Sequence, residues 1–402
     1  MAKQNKPAIR FKGFTDAWEQ RKLSEIADKV TEKNAGLQYI ETFTNSAEFG
    51  IISQRDFFDH DIAKMSSLSG YYIVRNEDFV YNPRISTSAP VGPINRNKLG
   101  RIGVMSPLYT VFRPHDVDTT YLEYFFKSKY WHSFMNFNGD SGARSDRFSI
   151  KDSVFFEMPI PLPYIEEQRK IGEHLTQLDH LITLHQRKYD KLQVLKKAML
   201  EKMFPKNGSS VPEIRFKGFT DAWEQRKLGD CFTERCESMP DGELISVTIN
   251  DGIKKFSELG RHDNSNDDKS KYKKVCAGDI AYNSMRMWQG ASGCSPYEGI
   301  VSPAYTVLTP NSGINSKCMA YQFKLPATIH TFKINSQGIT SDNWNLKFPA
   351  LSEIEIYVSP YEQEQAKIAA YFANLDHLIT LHQRELEKLQ NIKKSMLEKM
   401  FV

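Results

Sequence analysis

The sequence predicts an α+β protein in which two mixed α/β domains, related by an approximate two-fold axis, are joined and spaced by two long helices that form an antiparallel coiled coil. Three observations predict this fold class. One header segment occurs twice, two long segments carry a heptad pattern of apolar residues, and the parts between them are short β-branched and aromatic runs separated by polar turns. The 402 residues also exceed what a single hydrophobic core normally supports.

Each half of the chain begins with the same header. Ile9–Leu23 reads IRFKGFTDAWEQRKL and recurs unchanged at Ile214–Leu228. The connector PKNGSSVP between the halves is rich in Pro, Gly and Ser, which indicates a flexible linker. We therefore expect a duplication of one unit made of a domain and a helical tail. The expected segments are a first domain over 1–163, its helix over 164–204, the linker over 205–212, a second domain over 213–360 and its helix over 361–402.

The tail of each half has the spacing of a coiled-coil helix, because apolar residues follow one another mostly in alternating steps of four and three. Additional leucines, such as Leu181 and Leu381, widen the apolar stripe and predict contact with a further helix or a partner surface. At about 1.5 Å per residue, each helix exceeds one turn of B-DNA, about 34 Å. The residues assigned to the helix pair or a partner interface are Ile171, Leu175, Leu178, Ile182, Leu192, Ile368, Phe372, Leu375, Ile379 and Leu389.

The histidines and aspartates on the helical tails are interpreted as structural and not as catalytic residues. His185 and His382 fall on the seam, where we favour a polar residue that fixes register over a metal ligand or a pH switch. Asp179 and Asp376 each precede a histidine, but no nucleophile stands at a neighbouring helical position. For the Asp179-His180 and Asp376-His377 pairs we expect a solvated helix face.

The two middle segments differ at most positions but share a frame. Asp78–Asn82 matches Asp279–Asn283, and Ser106–Val111 matches Ser302–Val307; both pairs have the composition of buried strands. Between the matches lie 23 residues in the first copy and 18 in the second. A shared scaffold with different loops is expected of two domains that bind different targets in the same way.

Side chains that can contact nucleic acid are concentrated in these variable segments and in later polar turns. Arg, Lys, Asn and Gln can hydrogen-bond base edges or phosphates, although a solvated surface residue is the alternative for each one singly. The net charge of +4 permits a polyanionic partner without requiring one. The candidates are Arg84, Arg96, Lys98, Arg101, Arg144, Arg147, Lys273, Lys274, Arg286, Gln289, Asn343 and Asn345.

No segment carries a recognisable catalytic motif. The chain lacks a phosphate-binding P-loop, Asn82-Pro83-Arg84-Ile85 departs from the adenine-methyltransferase loop, and Pro240–Leu244 lacks the lysine that follows a nuclease's acidic pair. The five cysteines are odd in number and never spaced as C-x-x-C, which favours reduced thiols over disulfides or zinc. No apolar run is long enough for a membrane span. We expect a non-catalytic cytoplasmic protein that holds no metal.

The order of these features resembles one family closely, the specificity subunits of type I restriction-modification enzymes. The resemblance covers essentially the whole chain. It depends on the G-F-x-x-x-W-E-x-x-K-L headers, the Asp-x-x-Tyr-Asn strands at Asp78 and Asp279, the proline-rich approach to Glu167–Ile171 and Glu364–Ile368, and the Leu-Asp-x-x-Ile tails. One departure is that Arg169 is replaced by Ala366 at the second helix start, so the two starts need not contact partners identically.

The resemblance implies two target recognition domains that each read half of an asymmetric, interrupted DNA sequence, with the helices setting the spacing. It also implies two methylation subunits, which bind S-adenosylmethionine, and ATP-driven restriction subunits that use ATP and Mg. This chain itself would need no cofactor. Two alternatives remain at this point: a coiled-coil assembly adaptor that does not read DNA, and a fused restriction-methylation enzyme, which would need a methyl-donor motif.

Overall fold

Contacts within the chain divide it into two units, and each unit contains one domain and parts of both long helices. The computed structural model describes residues 6–58, 65–140, 146–206, 208–249, 252–263, 265, 267–340 and 343–401. The first unit holds residues 1–185 and 384–402, and the second holds 186–383. The boundary between the units falls within both long helices.

Among its described residues, the first unit contains ten strands, four short helices, the start of one long helix and the end of another. The strands are β1 (Glu19–Lys22), β2 (Ala27–Lys29), β3 (Phe43–Ser46), β4 (Gly50–Ser53), β5 (Tyr72–Val74), β6 (Phe79–Tyr81), β7 (Ile94–Arg96), β8 (Gly103–Met105), β9 (Thr110–Pro114) and β10 (Pro159–Leu162) within the described residues. The helices are α1 (Gln54–Phe58), α2 (Thr119–Lys127), α3 (Tyr130–Asn138), α4 (Asp152–Phe155) and α5 (Ile165–Lys202). Short 3-10 turns lie at Leu23–Glu25 and Met65–Gly70.

The second unit repeats this order of elements. Its strands are β11 (Glu224–Lys227), β12 (Phe232–Glu234), β13 (Ile245–Thr248), β14 (Gly252–Lys255), β15 (Lys273–Val275), β16 (Ile280–Asn283), β17 (Ser292–Cys294), β18 (Gly299–Val301), β19 (Tyr305–Pro310) and β20 (Glu355–Val358). Its helices are α6 (Leu228–Cys231), α7 (Ser316–Gln322), α8 (Pro326–Ile334), α9 (Phe348–Ser352) and α10 (Glu362–Lys399). Turns of 3-10 helix lie at Phe256–Leu259 and Met287–Gln289.

The same antiparallel sheet occurs in each unit. Its strand order is β2-β9-β6-β7 in the first unit and β12-β19-β16-β17 in the second. The central pair has Val80 opposite Val111 and Ala281 opposite Val307, so the segments that match between the copies form the middle of each sheet. The predicted α+β class is confirmed. The prediction of a strand over Ser106–Val111 and Ser302–Val307 is only partly right, because residues 106–109 and 302–304 form the turns that precede β9 and β19.

The aspartate of the Asp-x-x-Tyr-Asn motif is a structural residue. Asp78 is 1% exposed and accepts hydrogen bonds from the Arg113 guanidinium, at 2.8 and 2.9 Å, and from the backbone N–H of Arg75. Asp279 is bound in the same way by Arg235 and by the backbone N–H of Cys276. A buried carboxylate needs such partners, because desolvating an unpaired charge is costly. The motif therefore fixes the turn that enters the central strand.

In each unit the first part of one long helix packs against the last part of the other. In the first unit the Asp179 carboxylate of α5 is paired with Lys393 of α10, and in the second unit Asp376 of α10 is paired with Lys196 of α5. In the first unit Ile171, Leu175 and Leu178 pack in one core with residues near Leu389. In the second, Leu192 packs with Ile368, Phe372 and Leu375.

Each long helix ends in a Met-Phe pair that enters the core of a domain. Phe401 is 1% exposed, and its ring centroid lies 5.5 Å from that of Tyr121 in the first unit. Phe204 is 2% exposed and packs edge-on against Trp223 in the second unit, at 5.9 Å. Backbone hydrogen bonds from the headers, Ile9 N–H to Lys399 and Ile214 N–H to Lys202, hold these ends in place.

A buried ion pair connects each header to the start of a long helix. The Arg10 guanidinium binds Glu167 at 2.7 and 2.8 Å, and Arg215 binds Glu364 at 2.6 and 2.9 Å. Both glutamates are fully buried. The identical headers therefore make the same contact twice. None of the helices among the described residues has an apolar stretch long enough to cross a bilayer.

Candidate nucleic-acid interface

The variable segment begins at the same turn in both units. After strand β6, the Asn82 side-chain oxygen accepts a hydrogen bond from the backbone N–H of Arg84 at 2.9 Å. After strand β16, Asn283 accepts from the N–H of Met285 at 3.0 Å. Such Asx turns set the direction in which the next residues leave the sheet. Arg84 and Met285 thus occupy corresponding positions, and both are exposed.

In the first unit, a cleft lined by both amides and aromatic rings lies beside this turn. Its volume is about 350 Å³, and Phe57 and Phe58 form one wall. The amides around it are ordered by hydrogen bonds, since Asn45 accepts from Asn95 at 2.7 Å and Asn82 donates to the Asn45 carbonyl at 2.8 Å. The polar residues that line it are Thr44, Asn45, Ser46, Gln54, Asn82, Arg84 and Ser86.

A later polar turn packs against the variable segment in both units. Arg147 forms a backbone bridge with Arg84, and the N–H of Phe148 donates to the Pro83 carbonyl at 2.7 Å. In the second unit the N–H of Leu346 donates to Ser284 at 2.9 Å. The candidates Arg84 and Arg147 are therefore neighbours. Arg144 lies outside the described residues.

In the second unit the corresponding surface is aromatic. The rings of Trp288 and Trp344 are 5.3 Å apart at an angle of 76°, and the Lys333 ammonium lies over Trp344 at 5.6 Å. Among the candidates, Arg286 and Asn343 are exposed, and Gln289 and Asn345 are half-buried. The structure thus brings candidates of the variable segment and of the later turn together in this unit too.

Arg96 corrects the sequence analysis, because its side chain is only 8% exposed and is enclosed by partners. It pairs with Glu123 at 2.5 Å and Glu77 at 3.0 Å, and donates to Thr119 and Thr120. Base reading would require it to abandon this buried network. We therefore remove Arg96 from the set of residues expected to contact DNA.

Four other candidates form exposed or half-exposed ion pairs. Their partners are Glu123 for Lys98, Glu41 for Arg101, Glu234 for Lys273 and Glu237 for Lys274. The hydrogen bonds from Arg101 lower the pKa of Glu41 below its usual range. Because ion pairs near the surface contribute only about 0–1 kcal/mol, these cations remain available to phosphates.

The sequence analysis missed a pair of polar contacts that join each domain to both long helices. The Tyr124 hydroxyl donates to Asp179 at 2.7 Å, and Asp179 also pairs with Lys393. In the second unit the Tyr321 hydroxyl donates to Asp376 at 2.8 Å, beside Lys196. His180 and His377 are exposed, as expected of a solvated helix face, whereas the two aspartates are half-buried and paired. The sequence signal that could have identified this contact was the presence of the same aspartate in both repeats.

The described residues offer no evident catalytic group. No cluster of three or more His, Cys, Asp or Glu side chains is placed to hold a metal within the described ranges. The five cysteines are unbonded thiols, and burial raises the pKa of Cys231 and Cys294 to about 11. Such thiols are protonated at neutral pH and therefore poor nucleophiles.

Comparisons with known proteins agree with this architecture. The specificity subunit of the type I restriction enzyme MjaVIII from Methanocaldococcus jannaschii is 25% identical over 324 residues, which cover 74% of this chain and 73% of the relative. The solved structure of the type I restriction-modification S subunit from M. genitalium has a TM-score of 0.59 at 14% identity and 99% coverage of both chains. The HsdS subunit from Thermoanaerobacter tengcongensis has a TM-score of 0.45 at 14% identity, with 96% of both chains covered.

A family model matches each half of the chain separately. The type I restriction modification DNA specificity domain matches residues 15–194 and again residues 220–391. The two matches include both domains and most of both long helices, which is the duplication that the headers and tails indicate. With two copies of this domain, the chain belongs to the family of type I restriction-modification DNA specificity subunits.

Proposed function

We propose that each domain reads one half of an interrupted, asymmetric DNA target and that the helix pair sets the gap between the halves. The observation that carries this proposal is the shared turn after β6 and β16. It presents Arg84 beside an amide-lined cleft in one unit and Met285 beside two tryptophans in the other. One frame with two different surfaces is suited to two different half-sites.

We further propose that the chain docks two methylation subunits and, for cleavage, restriction subunits. Leucines of the long helices remain exposed: Leu181 is 40%, Leu184 38% and Leu381 45% exposed. Exposed apolar residues at coiled-coil spacing support a helical partner surface. The partners would supply the chemistry, with S-adenosylmethionine in the methylation subunits and ATP and Mg in the restriction subunits, and the complex would act on DNA in the cytoplasm.

Methylation mapping tests the proposal directly. The chain is co-expressed with type I methylation subunits from the same genome, and methylated adenines are mapped by single-molecule sequencing. We expect one interrupted, asymmetric motif that disappears when this chain is deleted. Replacing residues 24–160 with another recognition domain should change only one half of the motif. A bound partner without any motif would instead favour the assembly adaptor, and a change in both halves would refute independent reading.

A further inference from the structure

At the corresponding turn the second unit has two tryptophans, whereas the first unit has an amide-lined cleft with a wall of two phenylalanines. Met285 is 43% exposed, and Trp288 and Trp344 are both half-buried. The three other tryptophans of the chain, Trp18, Trp131 and Trp223, are each 3% exposed. We call Met285, Trp288 and Trp344 the apolar patch. A contiguous apolar patch that stays partly accessible beside candidate DNA contacts is typical of a binding surface.

The apolar patch is rigid. Met287 is fully buried and anchors the 3-10 turn that carries Trp288. The Trp288 indole N–H donates to the Met285 carbonyl at 3.1 Å, and the Lys324 ammonium donates to the Gly290 carbonyl at 2.5 Å. Gly290 ends the turn at a φ of 83°, which a side chain would strain. A surface ordered in this way loses little conformational entropy when it binds.

The charges around the apolar patch fit nucleic acid. The Lys333 ammonium lies over the Trp344 ring, and Arg286 is exposed and has no acidic partner among the described residues. Cations beside an apolar surface can hold phosphates while the apolar groups face the groove. In intact duplex DNA the base faces are stacked, and the apolar group that the major groove presents is the 5-methyl group of thymine.

We infer that the second domain recognises thymine 5-methyl groups in its half-site through Trp288, Trp344 and Met285, whereas the first domain reads by hydrogen bonds from Arg84 and its amide-lined cleft. This inference rests on the proposed function and specifies its chemistry. It assigns different recognition chemistry to two domains of the same fold. It also predicts that the half-site read by the second domain contains at least one thymine.

Deoxyuridine tests the inference because it removes only the methyl group and leaves the protein and the base pairing unchanged. The half-site of the second domain is the one that persists when residues 24–160 are replaced. Duplexes with deoxyuridine at each thymine of that half-site are titrated with the complex of this chain and its methylation subunits. We expect affinity to fall about three- to tenfold for at least one position, as about one lost methyl contact implies. The same change in the other half-site should alter affinity less than about twofold.

A double variant locates the contact. In Trp288→Ala combined with Trp344→Ala, the thymine duplex should bind as weakly as the deoxyuridine duplex, and the sensitivity to the methyl group should disappear. Arg84→Ala is the matched control, because it should weaken binding through the first domain and keep that sensitivity. The inference is overturned if the half-site has no thymine, if deoxyuridine is tolerated at every position, or if the double variant retains the sensitivity. None of these results affects the proposed function, which instead fails if the wild-type complex has no sequence preference.

Discussion

At the scale of single residues, burial distinguishes two arginines that appear equivalent in the sequence. Arg84 and Arg96 stand in the same variable segment, and both had the chemistry required for DNA contact. Arg84 is exposed at the shared turn, whereas the Arg96 side chain is 8% exposed and shared between Glu77 and Glu123. The two side chains should therefore contribute to different properties of the protein.

Arg84→Ala should weaken DNA binding and leave stability unchanged, whereas Arg96→Ala should do the reverse. Removing Arg96 leaves buried carboxylate without its guanidinium, and we expect the free energy of unfolding to fall by about 2–4 kcal/mol. Thermal unfolding and DNA titration of both variants provide the measurement. Equal effects of the two substitutions on affinity would contradict the distinction.

Lys324 gives the second unit a pH dependence. Burial lowers its pKa to about 8, against an ordinary value of 10.5. Between these values the unfolded chain binds more protons than the folded protein, so the free energy of unfolding rises with pH through this window. Below about pH 8 Lys324 is protonated in both the folded and the unfolded state, and the destabilisation that comes from burying its charge is fully present.

Lys324→Met removes this titration, although it also removes two hydrogen bonds to backbone carbonyls. The stability difference between wild type and variant should therefore move in favour of the wild type as pH rises from 7 to 10, whatever its value at pH 7. Denaturant unfolding of both proteins at several pH values measures this change. A difference independent of pH would show that the ammonium is not desolvated in the folded state.

The sequence could identify residue types at the interface but not their exposure. Arg96 meets its partners Glu77 and Glu123, which lie 19 and 27 positions away in the sequence, only after the chain has folded, and no local pattern encodes that approach. The pairing of Trp288 with Trp344 joins segments even further apart. The placement of Arg84 was easier to anticipate, because the Asx turn that exposes it is formed by neighbouring residues.

Among the secondary-structure elements, the long helices were predicted best. The heptad period and the apolar seam of these helices could be predicted from the local spacing of apolar residues. The helices α5 and α10 begin and end within a few residues of the expected bounds. The contacts that the helix ends make could not be predicted from this spacing, because those contacts depend on tertiary structure. Glu167 was interpreted as a first-turn carboxylate and proves to be the buried partner of Arg10. The terminal Met-Phe pairs proved to be core residues of the domains.

Phe401→Ala should destabilise the first unit, and Phe204→Ala the second. Each removes a buried aromatic side chain, and such truncations cost about 3–5 kcal/mol. Val194→Ala is the matched control on the same kind of helix, because Val194 is 69% exposed. Hydrogen exchange resolved by peptide should show lost protection confined to the unit concerned. Uniform loss throughout the chain would mean that the two units do not unfold separately.

For the molecule as a whole, helix length is the expected determinant of target geometry. A seven-residue insertion after His185 in α5, together with one after Gln383 in α10, keeps the heptad phase and lies where the two units divide. It adds about 10 Å to each helix, or about three base pairs of B-DNA.

Methylation mapping of this variant should therefore show both half-sites unchanged and the gap between them longer by about three base pairs. The matched control is a seven-residue Gly/Ser insertion at Gly208, which lengthens the linker but neither helix. An unchanged gap in the helix variant, or an equal change in the linker variant, would remove the ruler role of the helices.

The position of the Met-Phe pairs also has a consequence for biosynthesis. The core of the first unit contains Met400 and Phe401, and the Ile9 N–H is bonded to Lys399, so segments from opposite ends of the described chain meet in one domain. The second unit consists of one continuous stretch, residues 186–383. Because a ribosome makes the chain from its amino end, the second unit can close its core during synthesis, whereas the first must wait for residues 384–401. The recognition domain that is translated first is therefore the last to be completed, and its unfinished apolar surface is the one that a chaperone would meet.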